Sequence, residues 1–284
     1  MKNIGFIGIG VMGASMVKNL LKAGYDVSIY NRTKSKAQDC IDAGAVWCDT
    51  IAECSKNKEA VITIVGFPND VEEVYFGSNG IIESADKDTY IIDMTTTAPS
   101  LAERIFDAAK ERGLKALDAP VSGGDKGAKE ATLTIMVGGK KEDFDACKEL
   151  FNAMGKSVVY QGKAGCGQHT KMVNQIAIAG CMAGLCEAIA YMDEKGLDPD
   201  SVFSCISKGA AGSKQIDLYA ERMISGDYAP GFYIKHFIKD MKIAKDEYVG
   251  ELPILNKVLE MHEELAEEGF GELGTQGFIK SYKK

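Results

Sequence analysis

Only three of the 284 residues are histidine (His169, His236 and His262), and they lie far apart in the chain. No zinc-ligand spacing can be built from them, so no metal site is expected. The eight cysteines (Cys40, Cys48, Cys54, Cys147, Cys166, Cys181, Cys186 and Cys205) are scattered and include no C-x-x-C pair. In a chain this long that argues for reduced thiols in a cytoplasmic setting, not a disulfide framework. Basic arms and stripes are also missing: 33 Lys and Arg against 41 Asp and Glu leave a net charge of −8. No nucleic-acid partner is expected, although an anionic small molecule stays compatible because the charge of a site is local.

Apolar runs long enough to cross a bilayer are lacking too. The uncharged stretch from Met172 to Cys186 is shorter than the roughly 20 residues a spanning helix needs, and it contains Asn174 and Gln175. It reads as a buried helix, and no membrane association is expected. Lys2 and the uncharged residues after it imitate a short signal peptide, but they carry a glycine fingerprint that cleavage would destroy. There is no internal repeat or low-complexity segment. With 45% hydrophobic and 26% charged residues, the chain can build two domains with cores of their own.

What is present begins at once. Lys2-Asn-Ile-Gly-Phe-Ile-Gly8-Ile-Gly10-Val-Met-Gly13 joins a short apolar strand to a glycine turn and a helix start. Gly8 suits the tight turn, Gly10 lets backbone approach a pyrophosphate, and Gly13 lets helix and strand pack closely. The flanks agree: Ile4, Phe6 and Ile7 precede the turn, Met16, Val17, Leu20 and Leu21 follow at helical spacing, and Gly24 stops the helix. At the end of the second strand (Asp26 to Asn31), where an NAD site usually carries an acidic residue, stand Asn31, Arg32 and Thr33, with Lys34 and Lys36 behind them. A carboxylate there would repel a 2′-phosphate, whereas the planar guanidinium of Arg32 can bind one. NADP is expected over NAD; the plainer alternative is a solvated basic loop.

Apolar strands then alternate with helical segments. Ala60–Val65 is a continuous apolar run of the kind a parallel strand buries on both faces, ended by Gly66-Phe67-Pro68-Asn69, with a helix from Asp70 to Val74. Tyr90–Met94, Lys115–Asp118, Ala131–Gly138 and Ser157–Gln161 read as strands, and 101–112 and 142–154 as helices. From about Gly162 no convincing strand remains. A long apolar-rich helix is expected from Gln168 to about Lys195, with shorter helices near 199–207, 216–224, 237–249 and 253–267, and a loose tail over 280–284. The expected fold is an α/β Rossmann-type domain (1–162) followed by an all-α substrate and oligomerisation domain (163–284), joined by the long helix. The second domain most simply closes over the crevice at the carboxyl ends of the strands.

Three segments can carry chemistry. Asp118-Ala-Pro-Val-Ser122-Gly123-Gly124 offers backbone amides beside a serine, an anion seat for a substrate carboxylate or simply a β-turn. Lys171 opens the long helix, with Asn174 and Gln175 three and four residues on and therefore on its face. A buried ammonium needs partners. Such a lysine is either a general acid or a snorkelling surface residue. Phe232, His236, Lys239 and Asp240 fall at mostly helical spacing, the pattern of an amphipathic helix with a solvated face.

Together, Gly5-Phe-Ile-Gly-Ile-Gly-Val-Met-Gly13, Asn31-Arg-Thr33, Asp118-Ala-Pro-Val-Ser-Gly-Gly124, Gly167-Gln-His-Thr-Lys171-Met-Val-Asn-Gln175 and Lys239-Asp240 resemble the β-hydroxyacid dehydrogenase family over essentially the whole chain. That family includes 3-hydroxyisobutyrate dehydrogenases, tartronate semialdehyde reductases and glyoxylate and succinic semialdehyde reductases. The resemblance implies the two-domain fold in a homodimer or homotetramer, with Lys171 as catalytic acid/base assisted by Asn174 or Gln175. It implies that Ser122, Gly123 and Gly124 bind the substrate carboxylate, with Thr96, Phe232 and Asp240 at the pocket. Cofactor contacts are expected from Gly8, Gly10, Val11, Met12, Gly13, Asn31, Arg32, Thr33, Val65, Phe67, Pro68, Thr96 and Lys239. The Asn174-Gln175 pair resembles the tartronate semialdehyde reductase branch, where 3-hydroxyisobutyrate dehydrogenases more often have Asn-Asn. Asn-Arg-Thr resembles the NADP-preferring members. The activity implied is NADPH-dependent reduction of a small carboxylate-bearing aldehyde or keto acid to the hydroxyacid. The alternatives are an NAD-dependent 3-hydroxyisobutyrate dehydrogenase and a non-catalytic nucleotide-binding module. Imine reductases share the fold, but many lack the lysine, so Lys171 argues against that reading.

Overall fold

The structure is a computed structural model and describes residues 1–283. The chain divides into two compact units, Met1–Lys171 and Met172–Lys284. In the first, strands and helices follow as β1 (Asn3–Ile7), α1 (Val11–Lys22), β2 (Asp26–Tyr30), α2 (Gln38–Asp42), β3 (Val46–Trp47), α3 (Ile51–Ser55), β4 (Ala60–Thr63), α4 (Pro68–Phe76), α5 (Ile81–Ser84), β5 (Tyr90–Asp93), α6 (Pro99–Glu111), β6 (Lys115–Asp118), β7 (Val121–Ser122), α7 (Gly124–Lys129), β8 (Leu133–Gly139), α8 (Lys141–Asn152) and β9 (Gly155–Gly162). Helix α9 (Cys166–Lys195) runs out of this unit into the second, where α10 (Pro199–Ile206), α11 (Lys214–Ser225), α12 (Ile234–Asp246) and α13 (Pro253–Leu265) follow.

The strands join in one sheet of order β3-β2-β1-β4-β5-β6-β8-β7, with β9 on β8. Strands β1 to β6 pair in parallel, and β8 runs antiparallel to β6 and β7. Alternate side chains of the central strands enter different cores. Ile4, Phe6, Ala60, Ile62, Ile92 and Leu117 pack with Met16, Val17 and Leu20 of α1 on one face. Ile7, Val61, Ile91 and Ala116 pack with Val71, Val74, Leu101 and Ile105 on the other. Burial on both faces explains the unbroken apolar runs of these strands, each large side chain contributing roughly 1.5–3 kcal/mol. Between β1 and β4 the strand order reverses, which in such sheets opens a ligand crevice at the carboxyl ends.

The α/β-then-α organisation is as expected, with local differences. Strands β3 and β7 and helices α2, α3, α5 and α7 add to the expected elements, because two-residue strands and helices of four to six residues carry no readable periodicity. The supposed turn at Ser122 is the end of a strand, with Ser122 paired to Thr134. The tail expected to be loose from Lys280 is instead tied down. Residues Thr275–Ser281 form a 3-10 helix, Lys280 lies 4.7 Å from the Tyr228 ring, and Lys283 pairs with Asp193 at 3.0 Å. Lys284 lies outside the described residues. The second unit is helical, its one strand-like feature among the described residues being an isolated bridge between Tyr233 and Gly274.

Helix α9 is 30 residues long, and its most apolar window has a mean hydropathy of 1.5. By length and composition alone it could cross a membrane, a test that a buried core helix also passes. Met172, Ala179, Met182, Leu185, Cys186, Ile189 and Met192 are buried, the spacing of a packed helix face. All eight cysteines are free thiols. The thiols of Cys48 and Cys54 share a hydrogen bond, which pulls Cys48 down to about 7 and pushes Cys54 up.

At the end of β5, fully buried Asp93 accepts from Thr63 Oγ1 at 2.8 Å and from the Thr95 amide at 3.0 Å. Burial, aided by the charge of Asp118, pushes its carboxyl up to about 6 despite these donors. An acid with a higher pKa folded than unfolded stabilises the fold fully below the unfolded value near 4, and that contribution is lost as pH rises through 6. Asp93→Asn keeps an acceptor for both donors and removes the ionisation. We therefore expect the variant to gain about 2–3 kcal/mol on the wild type between pH 4 and pH 7.5, read from urea unfolding at each pH. A pH-independent difference would mean that Asp93 titrates alike folded and unfolded.

Candidate active site

The first cluster surrounds the glycine turn. Gly8 has φ of +104°, where a side chain is strained, and a Cβ on it would collide with the Ile64 carbonyl. A Cβ on Gly13 would strike the Gly8 carbonyl, so Gly13 is what lets α1 pack onto the turn. At Gly10, by contrast, a Cβ would meet nothing within 4 Å. That open face, beside the unpaired first amides of α1 at Val11, Met12 and Gly13, fits a pyrophosphate. Val11 is exposed and Met12 packs on the core.

Asn31 is the joint between this turn and the next loop. Its Oδ1 accepts from the Ile9 amide at 3.0 Å and its Nδ2 donates to the Thr33 carbonyl at 2.9 Å. The loop holding Arg32 and Thr33 is thus shaped by the turn itself. Arg32 reaches Asp70 on α4, with Nη1 2.8 Å from Oδ1. Phe67 and Pro68 start α4, Phe67 being partly exposed, and the Val65 amide donates to Thr95 Oγ1 at 3.0 Å. Thr96 is half-buried in the loop after β5.

The second cluster gathers the ends of β5 and β6, the start of α9 and the Ser122 segment. Asp118 accepts from the Gly165 amide at 2.8 Å and the Gln168 amide at 2.9 Å. Burial raises its pKa, and these amide donors oppose the rise. Gln168, fully buried, donates to the Thr95 carbonyl at 2.7 Å and accepts from the Thr97 amide at 3.1 Å. One turn further along, Lys171 is only 6% exposed and its Nζ donates to the Val121 carbonyl at 2.9 Å. The lysine is buried, not snorkelling, and its partner carbonyl is one residue from Ser122. Gly123 and Gly124 have φ of +132° and +63°, a left-handed path that carries the chain from β7 into α7.

The third cluster lies in the second unit. Gln175 Nε2 donates to Asp240 Oδ2 at 2.5 Å, and Asn174 Nδ2 donates to Gln175 Oε1 at 2.8 Å. Lys239 pairs with Asp240 Oδ1 at 3.0 Å, and Asp240 is 1% exposed. The face of α12 expected to be solvated is therefore buried at its chemical end, and the helix starts at Ile234 instead of Phe237. Phe232 precedes it and stacks edge-on against Phe237 at 5.8 Å. Burial, then the charges of Lys239 and Lys235, lowers the pKa of His236. Among the described residues no group of metal-ligating side chains is found.

Asp70, Asp93 and Gln168 tie together the loops around these clusters, and the sequence does not single them out. Asp93 and Asp118 are register partners at the ends of adjacent strands. A carboxylate closing each of two apolar runs is the signal that could have found the first of them. The glycine turn at the strand-order reversal and the buried lysine define the class: a dinucleotide-binding oxidoreductase.

Residues 3–162 match the family model described as the NAD binding domain of 6-phosphogluconate dehydrogenase. Residues 165–282 match the model described as NAD-binding of NADP-dependent 3-hydroxyisobutyrate dehydrogenase. The chain belongs to the β-hydroxyacid dehydrogenase family, NAD(P)-dependent oxidoreductases of small hydroxyacids. An uncharacterized oxidoreductase of Bacillus subtilis, YkwC, is 54% identical over 100% of this chain and 99% of its own. A 2-hydroxy-3-oxopropionate reductase of Escherichia coli is 36% identical (85% and 82% covered), and an NAD-dependent L-serine dehydrogenase of Pseudomonas aeruginosa 33% (96% and 95%). Among solved structures, 3-hydroxyisobutyrate dehydrogenase of Mycobacterium tuberculosis with L-serine superposes with a TM-score of 0.92 at 26% identity, covering both chains fully.

The glycines separate folding from cofactor binding. Gly10→Ala should fold with an unfolding midpoint close to wild type yet lose at least about tenfold in NAD(P)H affinity, since a methyl intrudes only on ligand space. Gly13→Ala, which strikes backbone, should cost about 1–3 kcal/mol of stability. Calorimetric titration and thermal unfolding of both variants check this; undiminished nucleotide affinity in Gly10→Ala would move the pyrophosphate elsewhere.

Proposed function

We propose that this chain is an NADPH-preferring reductase of a small carboxylate-bearing aldehyde or keto acid, of the tartronate semialdehyde, glyoxylate or succinic semialdehyde class. The observation that carries the reading is the buried Lys171 ammonium, held 2.9 Å from the Val121 carbonyl, whose residue adjoins Ser122. A buried ammonium needs partners to offset its desolvation, and charged groups held in this way are candidates for functional sites. Gly8, Gly10, Val11, Met12 and Gly13 would hold the pyrophosphate, Arg32 and Thr33 the 2′-phosphate, and Val65, Phe67, Pro68, Thr96 and Lys239 the rest of the cofactor. When bound, the nicotinamide supplies the hydride. Ser122 and the amides of Gly123 and Gly124 fix the substrate carboxylate, which orients the carbonyl. Lys171 delivers a proton to the carbonyl oxygen as negative charge grows there, and takes it back in the reverse direction.

Asn174 and Gln175, three and four residues after Lys171 on the same helix, orient that ammonium, and Asp240 with Phe232 completes the substrate surround. The Escherichia coli relative named for 2-hydroxy-3-oxopropionate reduction supports the substrate class. A second reading is an NAD-dependent dehydrogenase of a 3-hydroxyacid, favoured by the relative named an NAD-dependent L-serine dehydrogenase and by the pairing of Arg32 with a carboxylate. Free thiols support a reducing, cytoplasmic location. Exposed Val173, Cys181 and Tyr191 along α9 support a homo-oligomer.

Initial rates of NADPH and NADH oxidation with the three aldehydes would name the substrate and coenzyme. Lys171→Ala should lower turnover about 10²–10⁴-fold while NADPH still binds. Near-normal turnover in that variant would remove the lysine from the mechanism, and tight nucleotide binding without any turnover by the wild type would favour a binding module.

A further inference from the structure

Arg32 is 72% exposed, yet its guanidinium is not loose: Nη1 sits 2.8 Å from Asp70 Oδ1. Asp70 is anchored from the other side, because its Oδ2 accepts from the Phe67 amide at 3.0 Å and caps the first turn of α4. Its side chain is only 16% exposed. Gly66 keeps the space clear, since a Cβ there would come within 3.0 Å of Asp70 Oδ2. The carboxylate is therefore the fixed member of the pair, and the guanidinium comes to it. The nearest basic neighbour in sequence is otherwise engaged, Lys34 lying 5.1 Å from the centre of the Trp47 ring.

This placement puts a carboxylate against the cation that would read the 2′ position. A 2′-phosphate meeting Arg32 finds part of its charge already neutralised and a like charge close by. A ribose 2′-hydroxyl suffers no such repulsion and can donate to a carboxylate. We propose that Asp70, through its ion pair with Arg32, is a specificity-determining residue that narrows the preference of this chain for NADPH over NADH. The inference rests on the reading that Arg32 meets the 2′-phosphate.

The test is the ratio of NADPH to NADH affinity of the full chain, measured by calorimetric titration without substrate. Asp70→Asn keeps an acceptor for the Phe67 amide and removes the charge. It should raise the ratio about five- to tenfold at low salt, and less at roughly 0.5 M salt, where screening is strong. Asp70→Ser should move the ratio the same way, which guards against a folding defect peculiar to one variant. Glu72→Gln removes a charge from the same helix but one paired with Arg104, and should leave the ratio where it was. A ratio that stays put or falls in both Asp70 variants overturns the proposal; a fall would mean that the carboxylate holds Arg32 ready for the phosphate. Arg32→Ala tests the underlying reading separately: a ratio unmoved by that change removes Arg32 from the 2′ site, whatever Asp70 does.

Discussion

A buried carboxylate at the end of β6 fixes where the long helix begins, and most of the candidate chemistry depends on it. Asp118 gathers the Gly165 and Gln168 amides, which are among the donors that the start of α9 leaves without intrahelical partners. The exchange suits both sides. The helix start gains acceptors, and the carboxylate gains donors and the positive end of the helix dipole in place of lost water. The fit is close enough to dictate glycine at two other positions. A side chain on Gly138 or Gly167 would run into Asp118. Lys171 stands one turn beyond this knot, so its position follows from Asp118 before any contact of its own.

Gln168 extends the same constraint to the neighbouring strand. By donating to Thr95 and accepting from Thr97, it locks the loop after β5 to the start of α9. Thr96, the residue between them, is thereby held at the carboxyl edge of the sheet. The Thr95 hydroxyl in turn accepts from Val65, and the Thr95 amide donates to Asp93. The ends of β4, β5 and β6 are thus stitched by side chains that replace the ladder bonds lost where the strands stop. Buried polar networks of this kind are costly when incomplete. Here nearly every member has a partner, and the shared purpose is to hold the loops of the crevice in one arrangement.

Much of this is legible in the sequence because it is written in local patterns. The glycine fingerprint, the unbroken apolar strands and the helix-rich second half each reflect a rule that acts over a few residues. The long helix is visible in the same way from its apolar run. What escapes such patterns depends on partners distant in sequence. Asp118 and Gln168 meet across 50 residues, Gln175 and Asp240 across 65, and no periodicity reports such a meeting. Lys171 illustrates the difference. Its neighbours on the helix are readable, but whether it is buried or snorkelling turns on Val121, which belongs to a strand too short to predict. The burial of Asp240 escapes for the same reason, since an Asp beside a Lys on a helix looks solvated until its partners are known.

The amide chain in the second unit has a direction, and the charged end sets it. An ionised carboxylate only accepts, so Asp240 obliges Gln175 to present its NH2 group. The carbonyl of Gln175 is then turned the other way and accepts from the NH2 of Asn174. By elimination the remaining carbonyl of Asn174 faces away from this chain as an acceptor. Positions three apart on a helix share a face, and the residue three before Asn174 is Lys171, whose ammonium is a donor only. Asp240, itself held by Lys239, therefore settles the polarity of two neutral amides that could otherwise flip at little cost. This gives a physical reason for an Asn-Gln pair on one helix beside an acidic residue on another.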